Sequence, residues 1–173
     1  MDNPSVKYGL MAGFVQIAVL LILYFIDSVF LLTYGSVFEY VVFIYFMVKA
    51  INFIKLRNEN YISFPLAFRT GWLTYILAIS ITSVFTYILL NHIDVSLGDQ
   101  LKQLQLEAFE KTADLFKLSE EEKARQLDYI ENNNPNDIKS LAYSLPVSFL
   151  FPGAVIAVIV ALFKKKERVE PQS

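Results

Sequence analysis

Three carboxylates in the second half of the chain have the spacing that acid–base or metal chemistry would use. Glu107, Glu110 and Asp114 recur at steps of three and four residues, which places them on one face of a helix. Such a group could exchange protons with a substrate or bind a divalent cation. Lysines are interleaved with these acids, however, and the spacing of a calcium-binding loop is absent. The pattern therefore favours a solvated helix face.

Other residue types that carry chemistry are scarce. The chain has no cysteine, which excludes disulfides, thiolate metal sites and a cysteine nucleophile. Its one histidine, His92, stands near Asp94 without a second histidine to complete a metal site. We therefore predict no catalytic residue, no cofactor and no metal, and we expect that the protein is not an enzyme.

The apolar residues are concentrated in four windows of the chain. Of its 173 residues, 55% are hydrophobic and 18% are charged. The windows cover residues 6–26, 37–54, 70–90 and 141–163. Each has about the 20 residues that a helix needs to cross a hydrocarbon core of about 30 Å. The sequence thus predicts an all-α polytopic membrane protein with four transmembrane helices in a single membrane domain, residues 1–173.

Few polar residues fall inside these windows. The hydroxyl groups of span three could line a path, but serine and threonine also bond to carbonyls of their own helix, so packing is favoured. Gln16 and Asn52 are interpreted as interhelical hydrogen-bonding residues. Glu39 and Lys49 are placed within a turn or two of the ends of span two, so no acid is expected near a span centre. The hydroxyl residues are Ser80, Thr82, Ser83 and Thr86.

Glycine and proline predict how the spans pack and bend. Gly9 and Gly13 have the small-xxx-small spacing that lets two membrane helices approach closely. Pro65 suits the first turn of span three and predicts that Phe64 lies outside the helix. Pro152 lies well inside the fourth window, removes one backbone hydrogen bond and predicts a helix kink.

Basic residues mark one side of the predicted membrane domain. Nine lysines and arginines against four acids fall at the termini and between spans two and three, whereas the turn after span one holds Asp27 and no basic residue. Because lysine and arginine accumulate on the cytoplasmic side, we expect both termini to be cytoplasmic. Arg69 is interpreted as an anchor whose guanidinium reaches the headgroups. The predicted interface anchors are Lys49, Lys55, Arg57, Tyr61, Arg69, Trp72, Lys164, Lys165 and Lys166.

Residues 91–140, between spans three and four, are predicted to form an extracytoplasmic helical insert that is not an independent domain. Helices are expected at about 97–117 and 120–131, the second begun by a capping box of Ser119 and Glu122. The apolar face of the first helix lies on the bilayer, caps the bundle or binds another chain. Its residues are Leu97, Leu101, Leu104, Ala108, Phe109, Leu115 and Phe116.

Four short motifs carry a resemblance to a known family. They are YISFPLAFRTG from Tyr61 to Gly71, IDVSLGDQ, LSEEE, and the KKKE at the end of the last span. The chain resembles a family of small four-span membrane proteins of unknown function common in Bacteroidetes. Pro65 and Arg69 stand where that family usually has glycine and lysine. The resemblance implies a bacterial inner-membrane location and supplies no activity and no catalytic residues.

Two classes of function fit the sequence. The first is a non-enzymatic scaffold or accessory subunit whose outer helices bind a protein partner or a second copy. The alternative is a small-solute transporter or channel component, favoured by the hydroxyl groups of span three and the kink of span four. The expected partners are the lipid bilayer and a protein or a second copy, and the net charge of -2 argues against nucleic acid.

Overall fold

A computed structural model describes residues 3–132 and 137–166 of the chain. Within these ranges the elements are helices, and the only extended pairing is one isolated bridge. The α-helices are α1 (Pro4–Ile26), α2 (Ser28–Arg57), α3 (Phe64–Ile88), α4 (Val95–Leu115), α5 (Glu120–Asn132), α6 (Ile138–Ser148) and α7 (Val155–Lys164). Two π-helical segments, Leu89–Ile93 and Phe149–Ala154, continue α3 and join α6 to α7.

Four of the helical segments are long and apolar enough to cross a membrane. They are Pro4–Ile26, Ser28–Arg57, Phe64–Ile93 and Ile138–Lys164. Their exposed side chains are largely apolar, as expected of helices that face lipid. The prediction of an all-α polytopic membrane protein with four spans is thus confirmed.

A single residue, Asp27, joins α1 to α2. Its backbone N–H donates to the carbonyl of Leu23 at 2.9 Å and so ends α1. Its carboxylate accepts the N–H groups of Val29 and Phe30 at 2.8 and 3.1 Å and so caps the start of α2. The second helix therefore begins at Ser28, well before residue 37, where hydropathy alone had placed the start of span two.

The connection from α2 to α3 is a tight loop. Glu59 and Asn60 have positive φ angles of 53° and 67°, and the Asn60 N–H donates to the carbonyl of Lys55 at 2.9 Å, which closes the end of α2. Helix α3 begins at Phe64 with Pro65 in its first turn. The expectation that Phe64 lies outside the helix was wrong by one residue, because the position before a proline is biased against helix rather than barred from it.

By its contacts the chain divides into two compact units, Met1–Ser83 with Leu145–Ser173 and Val84–Ser144. In the first unit α1 and α3 run side by side in the same direction. The Ser5 hydroxyl donates to the carbonyl of Thr70 at 3.2 Å. A Cβ atom added to Gly9 would lie 2.9 Å from the Cβ of Leu77, and one added to Gly13 would lie 2.9 Å from the Cβ of Ile81. The two glycines therefore permit the close approach that their spacing predicted.

The fourth span is interrupted between α6 and α7. Phe151 has extended angles (φ −137°, ψ 118°), and the bond to Pro152 is cis. The indole N–H of Trp72 donates to the carbonyl of Phe149 at 2.8 Å, so α3 supplies a partner to a carbonyl in the interrupted segment. Gly153 lies against the ring of Tyr75, where no side chain could fit.

The second unit contains a pair of helices whose ends are defined by local hydrogen bonds. Helix α4 ends at Leu115 and is followed by a left-handed residue, Lys117 (φ 52°), and by a bond from the Leu118 N–H to the carbonyl of Ala113 at 3.1 Å. The Ser119 N–H donates to the Glu122 carboxylate at 3.0 Å, and the Glu122 N–H donates back to the Ser119 hydroxyl at 3.3 Å. The predicted capping box is confirmed, and the hydrogen bonds from Ser119 lower the pKa of Glu122.

The contact between α1 and α3 predicts a strict size limit at Gly13. In Gly13→Ala the added methyl meets the rigid Cβ of Ile81, and we expect a loss of about 1–3 kcal/mol, as for other overpacked sites. The measurement is thermal unfolding in mild detergent. Gly35→Ala is the matched control, since a Cβ there meets only the flexible ends of Leu31 at 3.3 Å and Leu20 at 3.7 Å. Equal melting temperatures for the two variants would contradict the close approach of α1 and α3.

The bond from Trp72 predicts a second effect on stability. Trp72→Phe keeps an aromatic ring that can stack on Phe68 but leaves the Phe149 carbonyl without its donor. Because an unpaired polar group in an apolar interior costs about 1–3 kcal/mol, the variant should melt at a lower temperature in detergent. Phe68→Leu, which removes the stacked ring and spares the hydrogen bond, is the comparison. Trp72→Phe should have the larger effect, and the reverse order would assign the stability to stacking.

Candidate functional site

The carboxylates singled out in the sequence are not gathered into a site. Glu107 and Glu110 are exposed on α4, and the side chain of Asp114 lies outside the described residues. His92 is exposed, with its ring 5.7 Å from that of Tyr87. Across residues 3–132 and 137–166 there is no group of three or more His, Cys, Asp or Glu that could hold a metal ion.

Most of the predicted interface anchors lie at one end of the first unit. Lys55 donates from Nζ to the carbonyl of Lys164 at 3.0 Å, and Lys166 Nζ lies 5.3 Å from the centre of the Tyr61 ring. The backbone of Lys166 also forms two hydrogen bonds of 2.9 Å with that of Ile62. Arg57 stacks over a ring at this end, that of Phe53, at 4.4 Å. Two motifs of the family resemblance, the loop before α3 and the lysine-rich tail, thus meet at the same place.

A cleft of about 460 Å³ opens at this basic end. Its lining residues are Arg57, Asn58, Glu59, Tyr61, Ile62, Ser63, Leu66 and Lys166. Arg69 follows the cleft residues closely in the sequence, and its side chain is exposed. The indole N–H of Trp72 instead donates to the carbonyl of Phe149 in the fourth span. The cleft carries charges of both signs and is open to its surroundings.

The predicted apolar face of α4 is buried along part of its length. Leu97 is fully buried, and Leu101, Leu104 and Phe109 are half-buried. Further along, Ala108 is exposed, and Leu115 and Phe116 are 81% and 75% exposed. Phe109 lines a groove of about 320 Å³ together with residues of α5.

The more informative polar site lies inside the membrane-spanning unit. Lys7 and Asp27 are about 30 Å apart along α1 at 1.5 Å per residue, which equals the thickness of the hydrocarbon core. Counted back from Asp27, Gln16 lies about 16 Å along α1, and counted forward, Glu39 lies about 18 Å along α2. Both residues therefore lie about midway along the apolar length that separates these charged positions. The sequence interpretation of Glu39 as a residue near the end of its span was wrong, because α2 starts directly after Asp27.

Three helices place polar residues in the same layer of this unit. Ala12, Phe43 and Ala78 belong to one buried cluster, which also contains Tyr75, with its ring 5.5 Å from that of Phe43. A polar residue lies one helical turn from each of Ala12, Phe43 and Ala78, on the side towards Asp27. These residues are Gln16 on α1, Glu39 on α2 and Thr82 on α3.

All three residues of this polar layer have buried atoms without a hydrogen-bond partner. The atoms are Nε2 and Oε1 of Gln16, Oε1 of Glu39 and Oγ1 of Thr82. Gln16 is completely buried and Thr82 nearly so, while Glu39 is half-buried. The expectation that Gln16 makes an interhelical hydrogen bond was wrong for the arrangement seen in the structure, where its amide has no partner. Thr82 also differs from Ser80, whose hydroxyl bonds back to the carbonyl of Ile76 at 2.7 Å as expected.

The surroundings of Glu39 supply no positive charge. The part of α1 from Gly9 to Leu23 and the part of α7 from Val155 to Phe163 contain no titratable residue. The titratable neighbours that interact electrostatically with Glu39 are Tyr40 and Tyr75, both neutral phenols. An ionisable group at this depth is costly in lipid, and residues of this kind mark ion pathways and proton relays in membrane proteins. The polar layer is therefore the best candidate for a functional site.

Sequence reasoning missed this layer because it assigned span two from hydropathy alone. The signal that could have found it is the position of Asp27, a strong capping residue directly after an apolar run. With a helix hairpin folded at Asp27, Gln16 and Glu39 fall at nearly equal distances on either side. The depth of Glu39 then follows from counting residues.

Comparison with known proteins gives a family and no further relative. No curated protein and no solved structure matches the chain. A family model described as a protein of unknown function, DUF4199, matches residues 7–166, which include the whole polar layer and the basic end. The resemblance drawn from the four motifs is confirmed: the chain belongs to the DUF4199 family of proteins of unknown function.

Proposed function

We propose that the protein is a small-solute transporter or channel component whose polar layer binds a small cation, the proton included, midway through the bilayer. The observation that carries this proposal is the buried, unpaired Oε1 of Glu39, at the same level of the bundle as the unpaired side chains of Gln16 and Thr82. A purely structural bundle has no need of a carboxylate at this depth, since an apolar residue would pack there at lower cost. We propose no enzymatic role.

This proposal reverses the order of the two functions considered from the sequence. There, an accessory or scaffold role came first because the outer segment is amphipathic, reactive groups are scarce and no acid was placed near a span centre. The bounds of α2 remove the last of these reasons, since they place Glu39 away from the ends of its helix. The scaffold remains the second candidate, and the observation that favours it is the exposure of Leu115 and Phe116 near the turn between α4 and α5, where a partner protein or a second copy could cover them.

We also propose that the basic end faces the cytoplasm of a bacterium, with both termini on that side of the inner membrane. The support is the clustering of Lys55, Arg57, Lys164 and Lys166 at one end of the first unit, while the opposite end of α1 and α2 carries Asp27. The basic residues there, with Tyr61 and Trp72, would act as anchors at the headgroups. The helices between residues 91 and 140 would then be extracytoplasmic.

The transport proposal predicts that cation flux requires Glu39. Purified protein in liposomes, driven by a potassium diffusion potential and read with an internal pH dye and cation indicators, should show flux above empty liposomes. Glu39→Gln should reduce that flux at least tenfold, because the neutral amide cannot exchange a proton or balance a cation. Glu59→Gln, in the exposed loop after α2, is the matched control and should retain it. Wild-type protein without flux, or Glu39→Gln with full flux, would refute the proposal.

The orientation predicts which single cysteines react from outside the cell. The chain has no cysteine of its own, so Asn58→Cys and Gln103→Cys can be compared directly, and both positions are exposed. A membrane-impermeant maleimide applied to spheroplasts should label Cys at position 103 and should reach position 58 only after permeabilisation. Labelling in the opposite order would place the basic end outside.

A further inference from the structure

We infer that the ligand of the polar layer is a proton carried on Glu39, and that the amide of Gln16 lets the layer accommodate both the protonated and the ionised carboxyl group. This inference rests on the site of the proposed function but not on transport itself. It names the bound species and gives Gln16 a role as a positioning residue.

The layer offers too few oxygen atoms for a metal cation. Hard cations such as Mg²⁺ and Ca²⁺ take six to eight oxygen ligands in proteins. The side chains of the layer offer four oxygens, two from the carboxylate of Glu39 and one each from Gln16 and Thr82. The backbone carbonyls at this level belong to the continuous helices α1, α2 and α3 and are engaged in helical hydrogen bonds. The amide group of Gln16 also brings two N–H donors, which repel a cation.

The protonated layer can pair every one of these atoms. A hydroxyl on Glu39 Oε1 would donate to Gln16 Oε1, and Gln16 Nε2 would donate to Thr82 Oγ1, directly or through one water. All four atoms of the polar layer that lack a partner in the structure then have one. The carboxyl group is neutral in this arrangement, which suits the low-dielectric surroundings.

The ionised layer can pair the same atoms after the Gln16 amide turns over. Its Nε2 would then donate to the carboxylate of Glu39, and the Thr82 hydroxyl would donate to Gln16 Oε1. The amide oxygen and nitrogen have nearly the same shape, so this rotation needs little space. Glutamine has both a donor and an acceptor. The proton can therefore bind and dissociate without leaving a buried polar atom without a hydrogen-bond partner. A residue with only donors or only acceptors could serve just one of the two states.

The neighbours of Glu39 leave no second group to hold the proton. Tyr40 lies on the same helix and Tyr75 on α3, and phenols remain neutral through the physiological range. Gly9–Leu23 of α1 and Val155–Phe163 of α7 have no titratable side chain. Glu39 is thus the one residue of the layer that gains or loses a charge.

A carbodiimide that enters the bilayer tests the inference without measuring transport. Dicyclohexylcarbodiimide reacts with protonated carboxyl groups in apolar surroundings, and mass spectrometry locates the adduct. We expect modification at Glu39, faster as the pH falls, unchanged by sodium or potassium chloride, and absent in Glu39→Gln. Protection by either salt at constant pH would show a metal cation in the layer and overturn the inference. No adduct at Glu39 at any pH would overturn it as well.

Variants at the neighbouring positions test the role of Gln16. In Gln16→Leu the ionised carboxylate loses its N–H donor, a stronger bond than the one that the neutral carboxyl group loses. The pH at half-maximal modification should therefore rise by at least one unit. Ser80→Ala, whose hydroxyl bonds within α3, is the control and should leave the midpoint in place. An unchanged midpoint in a folded Gln16→Leu variant would remove Gln16 from the proposal.

The two experiments separate the proton site from transport. Modification of Glu39 with the expected pH dependence, in a protein that shows no flux in liposomes, would support the proton site and refute transport. Flux of a metal cation together with salt protection would refute the proton inference and support the transport proposal.

Discussion

The hydrogen bonds of one aspartate set the depth of everything that follows it in the membrane. Asp27 ends α1 through its N–H and begins α2 through its carboxylate, with no other residue between the two helices. This arrangement fixes the register of the hairpin, because neither helix can slide without losing the cap. For this reason Glu39, twelve residues after Asp27, lies at nearly the same distance from the hairpin turn as Gln16, eleven residues before it.

The packing of α1 on α3 aligns the polar residues of these two helices. The bond from Ser5 to Thr70 and the close contacts at Gly9 and Gly13 align the two helices in steps of one turn. The alignment brings Thr82 to the level of Gln16. In this layer Gln16, Glu39 and Thr82 all keep buried polar atoms without a hydrogen-bond partner. The neighbouring part of the bundle, around Phe43 and Tyr75, is closely packed and apolar.

Features that depend on local sequence could be predicted, whereas those that depend on partners from distant segments could not. Hydropathy was enough for the four spans, and local hydrogen-bonding rules were enough for the capping box at Ser119 and Glu122. The start of α2 was missed because the hydroxyl and glycine residues after Asp27 lower the local hydropathy. A lipid-facing helix nevertheless tolerates such residues. The partner of the Phe149 carbonyl, Trp72, is far away in the sequence, and no local rule points to it.

The bridge between Ile62 and Lys166 uses only main-chain atoms, with each residue donating its N–H and accepting at its carbonyl. Side-chain identity at the two positions is therefore almost unconstrained by the pairing itself, but proline at either would remove a donor. In an alignment of the family, we expect this link between loop and tail to appear as an avoidance of proline at both positions.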